Sequence, residues 1–325
     1  MTCYAPVKAT QSYKPKANGK YQIKFGEYDT NFGNLIELPC GQCSGCRLER
    51  SRQWAVRIMH EASTYENNTF LTLTYRPEDL PDNGSVDVRH FQLFMKRLRK
   101  KYVPKNPFCK KTQEHLYNKH KKKYSIRFFH CGEYGDKLSR PHYHAIIFNH
   151  DFNDKEIYSD TNGEFLYTSK TLDKLWQLGE CKIGDVTFES AAYVARYIMK
   201  KITGDDAQDH YEEIDRETGQ INSKKPEYIT MSRRPGIASD WYAKYHQDVF
   251  PNDYVISQGK KLRTPKYYDN ILERENPEIL MKLKEKRKQN ALKQSENTTD
   301  KRLKVRQKIA NIKLRKLQRK LHNET

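Results

Sequence analysis

Apolar residues recur along the chain at two different spacings, which predict a protein that mixes helices with strands. Residues 48–65 and 88–102 carry apolar side chains three and four positions apart, the spacing of a helix with one buried face. Residues 70–75, 124–131 and 142–148 are short runs rich in β-branched and aromatic residues, which is typical of strands. The same criteria predict further helices over residues 171–178 and 190–201 and a fourth strand over residues 183–188.

Polar and glycine-containing segments mark the ends of these elements. Asp87 and Ser190 are predicted to cap the helices that follow them, because a short side-chain oxygen accepts hydrogen bonds from the free amides of a first turn. The segment Gly132–Gly135 is predicted to be a turn. We expect loops at the basic run Lys119–Lys123, either near DNA or solvated, and over residues 205–225. The order of elements indicates the α+β class.

Positive charge is concentrated at the end of the chain. The net charge is +19, and residues 282–325 contribute +12 of it without a single Phe, Tyr or Trp. This composition is compatible with helix, and residues 297–300 are expected to break it and cap a second helix. We divide the chain into a body, residues 1–265, and a basic tail, residues 266–325. The tail is either a solvated helix or disordered arm, or an arm that binds phosphates or a partner helix.

The composition restricts the classes of function. No stretch of about 18 apolar residues occurs, so the sequence predicts no transmembrane helix and no membrane partner. Residues 1–6 lack the apolar core of a secretory signal, which favours the cytoplasm. The excess of positive charge predicts a polyanionic partner, most simply nucleic acid.

Three of the seven cysteines form the pattern Cys40-x-x-Cys43-x-x-Cys46. An odd number of cysteines in a long chain without a secretory signal argues against a disulfide framework. Three thiols at this spacing suit structural Zn²⁺, with free thiols or an iron–sulfur cluster as alternatives. Cys3 is the best candidate for a fourth zinc ligand, because it would anchor the N-terminus. The other candidates for the fourth ligand are Cys109 and Cys131.

Two histidines alternate on the predicted strand 142–148. Residues two apart on a strand point to the same face, so His142 and His144 would project side by side, with Tyr143 on the opposite face. Neighbouring imidazoles suit a divalent ion. An antiparallel return after Glu133 would bring its carboxylate close to His142 as a third ligand. The alternative is a pair of histidines on a solvated sheet face.

Two tyrosines and a lysine share one face of the predicted helix 190–201. Tyr193, Tyr197 and Lys200 are four and three positions apart, so they form one stripe. The tyrosines either pack against the sheet or act as nucleophiles. A phenol with a pKa of about 10 is a weak nucleophile at neutral pH unless a nearby cation stabilises the phenolate.

The order of these motifs resembles that of the HUH endonucleases in their two-tyrosine form. The resemblance rests on Phe-Leu-Thr-Leu-Thr at 70–74, His-Tyr-His at 142–144, and Tyr-x-x-x-Tyr-x-x-Lys at 193–200. Pro-Cys-Gly-Gln-Cys-Ser-Gly-Cys-Arg at 39–47 is similar to the replication initiators of gokushoviruses, a group of microviruses. The resemblance covers residues 1–201 and does not extend to the tail.

The resemblance implies a five-stranded antiparallel sheet flanked by helices, with the histidines on a central strand. It implies catalytic Mg²⁺ or Mn²⁺ held by His142 and His144, to which the spacing adds Glu133. It also implies that Tyr193 and Tyr197 are nucleophiles. The lysine of the motif is Lys200. The expected DNA contacts, with a solvated helix face as the alternative for the two arginines, are Arg47, Arg50 and Lys201.

Motifs and resemblance together imply an enzyme that starts rolling-circle replication of a circular DNA. A tyrosine would nick one strand of the origin, form a 5′-phosphotyrosyl intermediate and leave a free 3′-OH, and the strand would later be rejoined. The alternatives are an HUH transposase or plasmid relaxase, and a non-enzymatic, zinc-stabilised basic nucleic-acid-binding protein. No Gly-x-x-x-x-Gly-Lys-Ser/Thr phosphate loop occurs. We therefore expect a host helicase and polymerase in the bacterial cytoplasm as partners, beside single-stranded and origin DNA.

Overall fold

The computed structural model describes most of the chain. It covers residues 3–322 except for 18, 20, 27, 82, 136–137, 162, 197–209, 215–218 and 220. The chain forms two compact units, one made of Met1–Arg50 with Asp269–Thr325 and the other of Ser51–Tyr268. The division into a body of 1–265 and a tail of 266–325 stays a prediction.

The α+β class is confirmed by the strands and helices of the described residues. The strands are β1 (Val7–Pro15), β2 (Tyr21–Phe25), β3 (Gly33–Leu38), β4 (Asn68–Leu73), β5 (Arg127–Tyr134), β6 (Pro141–Phe148), β7 (Lys155–Thr161), β8 (Glu164–Ser169), β9 (Cys181–Gly184), β10 (Glu212–Ile214), β11 (Ile221–Ser223), β12 (Tyr228–Met231), β13 (Tyr254–Ser257) and β14 (Lys260–Arg263). The helices are α1 (Ser44–Ala62), α2 (Val88–Tyr102), α3 (Glu114–Tyr124), α4 (Lys170–Trp176), α5 (Phe188–Arg196), α6 (Ser239–Val249), α7 (Lys266–Glu275), α8 (Pro277–Leu292) and α9 (Asp300–His322).

The first unit contains a small antiparallel sheet, in the order β2-β1-β3, and the helices of the basic tail. The predicted break in the tail is confirmed, because α8 ends at Leu292 and α9 begins at Asp300. Residues 303, 280 and 283 of these helices are buried leucines, whereas Val305, Ile309 and Ile312 are about half exposed. Among the described residues, we find no helix with the length and apolar character that crossing a membrane requires.

A seven-stranded sheet, in the order β12-β5-β6-β4-β9-β8-β7, organises the second unit. Every neighbouring pair is antiparallel, and the histidine strand β6 lies third from one edge. The sheet thus has two strands more than the resemblance implied. One face packs against α2 and α4 in a single hydrophobic core. Asp87 caps α2 as predicted, since its side chain accepts a hydrogen bond from the Arg89 amide.

The predicted alternation along β6 is confirmed. Tyr143 is fully buried in the core, on the face opposite His142 and His144. Its hydroxyl donates to the Asp87 carbonyl, accepts from the Asp87 amide, and lies 2.7 Å from the Tyr75 hydroxyl. Burial raises the pKa of Tyr143 to about 12, so this phenol stays neutral and structural.

The prediction of a turn at Gly132–Gly135 is wrong for its first three residues, which continue β5. Gly132 lies opposite Tyr143 and Tyr228 on the neighbouring strands. A Cβ atom at Gly132 would come within 2.8 Å of the Tyr228 ring and 3.0 Å of the Tyr143 ring. This glycine therefore serves the close packing of two aromatic rings and not a change of chain direction.

Two other boundaries differ from the prediction. Lys119–Lys123 belong to helix α3 and not to a loop, and lysines 121–123 occupy its last turn, where positive charge suits the helix dipole. Thr187, one residue before α5, takes the capping role predicted for Ser190. The Ser190 amide donates to Thr187 Oγ1 and the Thr187 amide donates to Ser190 Oγ, a reciprocal pair that ends the preceding strand early.

Candidate metal centre and tyrosine site

Glu133, His142 and His144 converge on the sheet face that the core leaves free. Glu133 on β5 lies directly opposite His142 on β6, and His144 follows two positions later on the same face. Glu133 Oε1 lies 2.9 Å from His142 Nε2 and 3.0 Å from His144 Nε2. The structure thus brings the three side chains together as the antiparallel return predicted, while their role as metal ligands stays a prediction.

Contacts on the far side of each imidazole orient both histidines. His142 Nδ1 donates to the Arg140 carbonyl at 3.2 Å, and His144 Nδ1 lies 3.1 Å from the Thr72 hydroxyl. In a neutral His142 this hydrogen bond directs the lone pair of Nε2 at Glu133. A lone pair that faces a carboxylate oxygen is stable only with a positive charge between them, which is either a proton or a metal ion.

The Glu133 carboxylate supplies a buried negative charge. Its side chain is 1% exposed, whereas that of His142 is 20% exposed. Burial raises the pKa of Glu133, but hydrogen bonds from His142 and His144 outweigh burial and hold that pKa well below its usual range. The cluster therefore carries an ionised carboxylate at neutral pH and opens to solvent at His142.

This donor set fits one divalent ion. One ligand atom from each of the three residues lies within 4.8 Å of the others. Two imidazole nitrogens and one carboxylate oxygen suit Mn²⁺ better than Mg²⁺, which prefers oxygen ligands. Three protein ligands also leave coordination positions open for a substrate.

Tyr193 lies beside this cluster on α5. Its ring meets the His144 ring edge-on, with centroids 5.0 Å apart, and also contacts Phe70 of β4. Tyr193 is half-buried, so it both packs against the sheet and keeps part of its surface open. The other predicted residues of this stripe, Tyr197, Lys200 and the adjacent Lys201, lie outside the described residues.

Sequence reasoning missed a row of side chains on the same sheet face. Thr72 on β4 lies opposite both His144 and Lys182 of β9, so the three share one face. The Lys182 ammonium lies 3.3 Å from the ring centroid of Tyr158, which is 60% exposed. Thr72 lay inside a recognised strand motif, whereas Lys182 and Tyr158 had no sequence signal, because only strand pairing brings them to the site.

The predicted cysteine ligands also come together. The Sγ atoms of Cys3, Cys40, Cys43 and Cys46 all lie within 4.8 Å of one another. The other candidates for the fourth ligand do not join them, since Cys109 is exposed and Cys131 is buried in β5. Arg47 and Arg50 lie in α1, where Arg50 is exposed and Arg47 is half-buried; their contact with DNA stays a prediction.

Comparison with known proteins places these residues in a family. The family model of the phage replication-associated protein ORF2 matches residues 68–202, which include the histidine cluster and the tyrosine stripe. The replication-associated protein VP4 of Bdellovibrio phage phiMH2K is 35% identical over 246 residues, covering 75% of this chain and 70% of that protein.

Two further relatives are similarly close. The replication-associated protein ORF2 of Spiroplasma virus 4 is 31% identical over 85% of this chain and 81% of its own length. The replication-associated protein ORF4 of Chlamydia phage 1 is 32% identical over 72% of this chain and 53% of its own. No solved structure matches the chain. At this identity and coverage, the chain belongs to the ORF2 family of phage replication-associated proteins.

Proposed function

We propose that this protein initiates rolling-circle replication of a circular phage DNA by cutting one strand with a tyrosine. The observation that carries the proposal is the position of Tyr193, whose ring contacts His144 beside a cluster of two imidazoles and one buried carboxylate. A tyrosine that only packed against a sheet would not need this cluster. The names of the relatives support a role in replication.

The chain supplies the nucleophile and the orientation of the substrate. The Tyr193 hydroxyl loses its proton and forms a bond to phosphorus, while the bond from phosphorus to the 3′ oxygen breaks. The 3′ oxygen takes up a proton and becomes the 3′-OH that primes synthesis, and the protein stays on the 5′ phosphate. A bound divalent ion would supply the positive charge that polarises the scissile phosphate. His142 and His144 would hold that ion through their Nε2 atoms.

A second tyrosine supports the return reaction. Tyr197 follows Tyr193 by four positions in the sequence. Attack by a 3′-OH on the phosphotyrosine restores the phosphodiester and frees the tyrosine, without ATP, because the ester bond replaces the bond that was cut. With two tyrosines, one remains available to cut the regenerated origin while the other carries the first strand. We assign Lys200 to the stabilisation of phenolate charge. Strand separation and synthesis then fall to a host helicase and polymerase.

The row of side chains beside the cluster suits a single strand. Lys182 is a cation on the sheet face that carries His144, and the exposed Tyr158 ring beneath its ammonium offers a surface for a base. Base stacking on an aromatic ring and a phosphate contact from a lysine are the two features of sequence-independent binding to single strands. We propose that the nucleotides next to the cut lie along this row.

A covalent adduct tests the proposed function. The purified protein is mixed with labelled single-stranded DNA of its replicon, with Mn²⁺ or with chelator, and run on a denaturing gel. We expect a labelled band that survives SDS, disappears after protease treatment and requires the metal. Salt-sensitive binding without adduct and without cleavage would contradict the proposal and favour a basic nucleic-acid-binding protein.

Replacement of Lys182 tests the proposed strand path. We expect Lys182→Ala to weaken binding to single-stranded DNA and to lower the slope of log affinity against log salt by about 0.7, the value for one lost phosphate contact on a single strand. Fluorescence anisotropy at several salt concentrations measures this slope. The control is Lys170→Ala, because the Lys170 side chain is 84% exposed. Equal slopes for the two variants would contradict the path.

A further inference from the structure

The four cysteines of the first unit form a cluster that the proposed nicking reaction does not use. Cys3 Sγ lies 3.6 Å from Cys40 Sγ and 3.9 Å from Cys43 Sγ. Four sulfur atoms around one zinc ion, each at ~2.3 Å from it, lie about 3.8 Å apart. The two separations therefore match the edges of a tetrahedron of zinc ligands. We propose that Cys3, Cys40, Cys43 and Cys46 bind one structural Zn²⁺.

Backbone amides support negative charge on these sulfur atoms. The amides of Tyr4, Cys40 and Cys43 donate to the Sγ atoms of Cys43, Cys3 and Cys40, each at 3.3 Å. A thiolate accepts such hydrogen bonds more strongly than a neutral thiol. Gly41 has a φ of +76°, so the turn between Cys40 and Cys43 uses a backbone conformation that other residues adopt at a cost. The loop is therefore shaped to aim its sulfur atoms at one point.

The geometry separates zinc from the other interpretations of the cysteine pattern. All seven cysteines are free, so the cluster is not a pair of disulfides. An iron–sulfur cluster places several iron and sulfide atoms between its thiolates and holds them further apart than one ion does. Four thiolates within 4.8 Å of one another suit a single ion, and four protein ligands leave no position for a substrate. The site is accordingly structural and not catalytic.

The site would connect the start of the chain to a helix. Cys3 precedes β1, whereas Cys46 lies in the first turn of α1, which begins at Ser44. One ion would thus hold the N-terminal residues against the Cys40–Cys46 turn in a unit whose small sheet has an exposed β2 strand. Binding replaces thiol protons by the ion, so the site should lose zinc as the pH falls.

Metal analysis tests the proposal on the full-length protein. We expect about one zinc per chain by mass spectrometry of the purified protein. Titration of its thiols with a mercurial reagent should release this zinc, without the need for a variant that folds poorly. Substitution by Co²⁺ should give the visible absorption of tetrahedral thiolate coordination. Absence of metal, or iron in place of zinc, would overturn the assignment.

Two variants serve as controls for the assignment. Cys43→Ser should lower the zinc content and the melting temperature, whereas Cys109→Ser should change neither, because Cys109 is exposed and lies outside the cluster. Zinc that persists fully in Cys43→Ser would contradict the proposal. Glu133→Gln should keep its zinc even if nicking is lost, so failure of the nuclease proposal and failure of the zinc proposal give different results.

Discussion

The Tyr193→Phe/Tyr197→Phe double variant is expected to form no covalent DNA adduct. Phenylalanine removes only the hydroxyl oxygen that would bond to phosphorus. For Tyr193 it keeps the ring that packs edge-on against His144 and Phe70. The fold should therefore be retained while the nucleophile is lost. Denaturing gels with labelled single-stranded DNA and Mn²⁺ measure the adduct, and we expect its band to fall below detection.

The single variants distinguish the two tyrosines. Tyr193→Phe and Tyr197→Phe should each still nick once, because the remaining tyrosine serves as nucleophile, but neither should complete cleavage and rejoining of a second origin. Tyr245→Phe on α6 is the control, since Tyr245 contacts Trp241 and lies outside the cluster. A double variant that still forms adduct would exclude both residues as nucleophiles.

Glu133→Gln is expected to lower the rate of nicking by more than about 100-fold. The substitution keeps the size of the side chain but removes the buried charge that faces His142 Nε2 and His144 Nε2. Loss of a residue that merely orients a metal ligand costs ~10–100-fold in affinity or activity, so loss of a charged ligand should cost more. Single-turnover nicking over a range of Mn²⁺ concentrations measures the effect.

Metal concentration and a matched variant identify the cause of that loss. If Glu133 is a ligand, the Mn²⁺ concentration for half-maximal nicking should rise in Glu133→Gln. Glu164→Gln makes the same chemical change at an exposed position of β8 and should behave as the unmodified protein. Unchanged metal dependence in Glu133→Gln would remove Glu133 from the ligand set and leave it a buried partner of the histidines.

Periodicity predicted most elements of the second unit because their patterns are local. The two-residue alternation of β6 placed His142 and His144 on one face and Tyr143 on the other, and the capping residue of α2 was identified from its neighbours. Errors arose where a residue answers to distant partners. Gly132 was predicted to lie in a turn, whereas its lack of a side chain accommodates the rings of Tyr143 and Tyr228 on neighbouring strands.

The sequence by itself determined the chemical types present and their local spacing. The paired histidines, the tyrosine stripe and the three spaced cysteines were all found without coordinates, because each motif lies within one strand, helix or turn. The resemblance then supplied roles for these residues. Spacing also directed attention to Glu133 and Cys3, but neither residue has a local motif of its own.

Only the tertiary structure decided which of these groups meet. Strand pairing set Glu133 opposite His142, and it placed Thr72 and Lys182 in one row with His144, through residues more than 70 and 100 positions apart in the chain. Folding of the first unit likewise brought Cys3 within 3.6 Å of Cys40 and left Cys109 and Cys131 elsewhere. The physical reason is that register and close packing arise from contacts between distant segments, which no local pattern of residues contains.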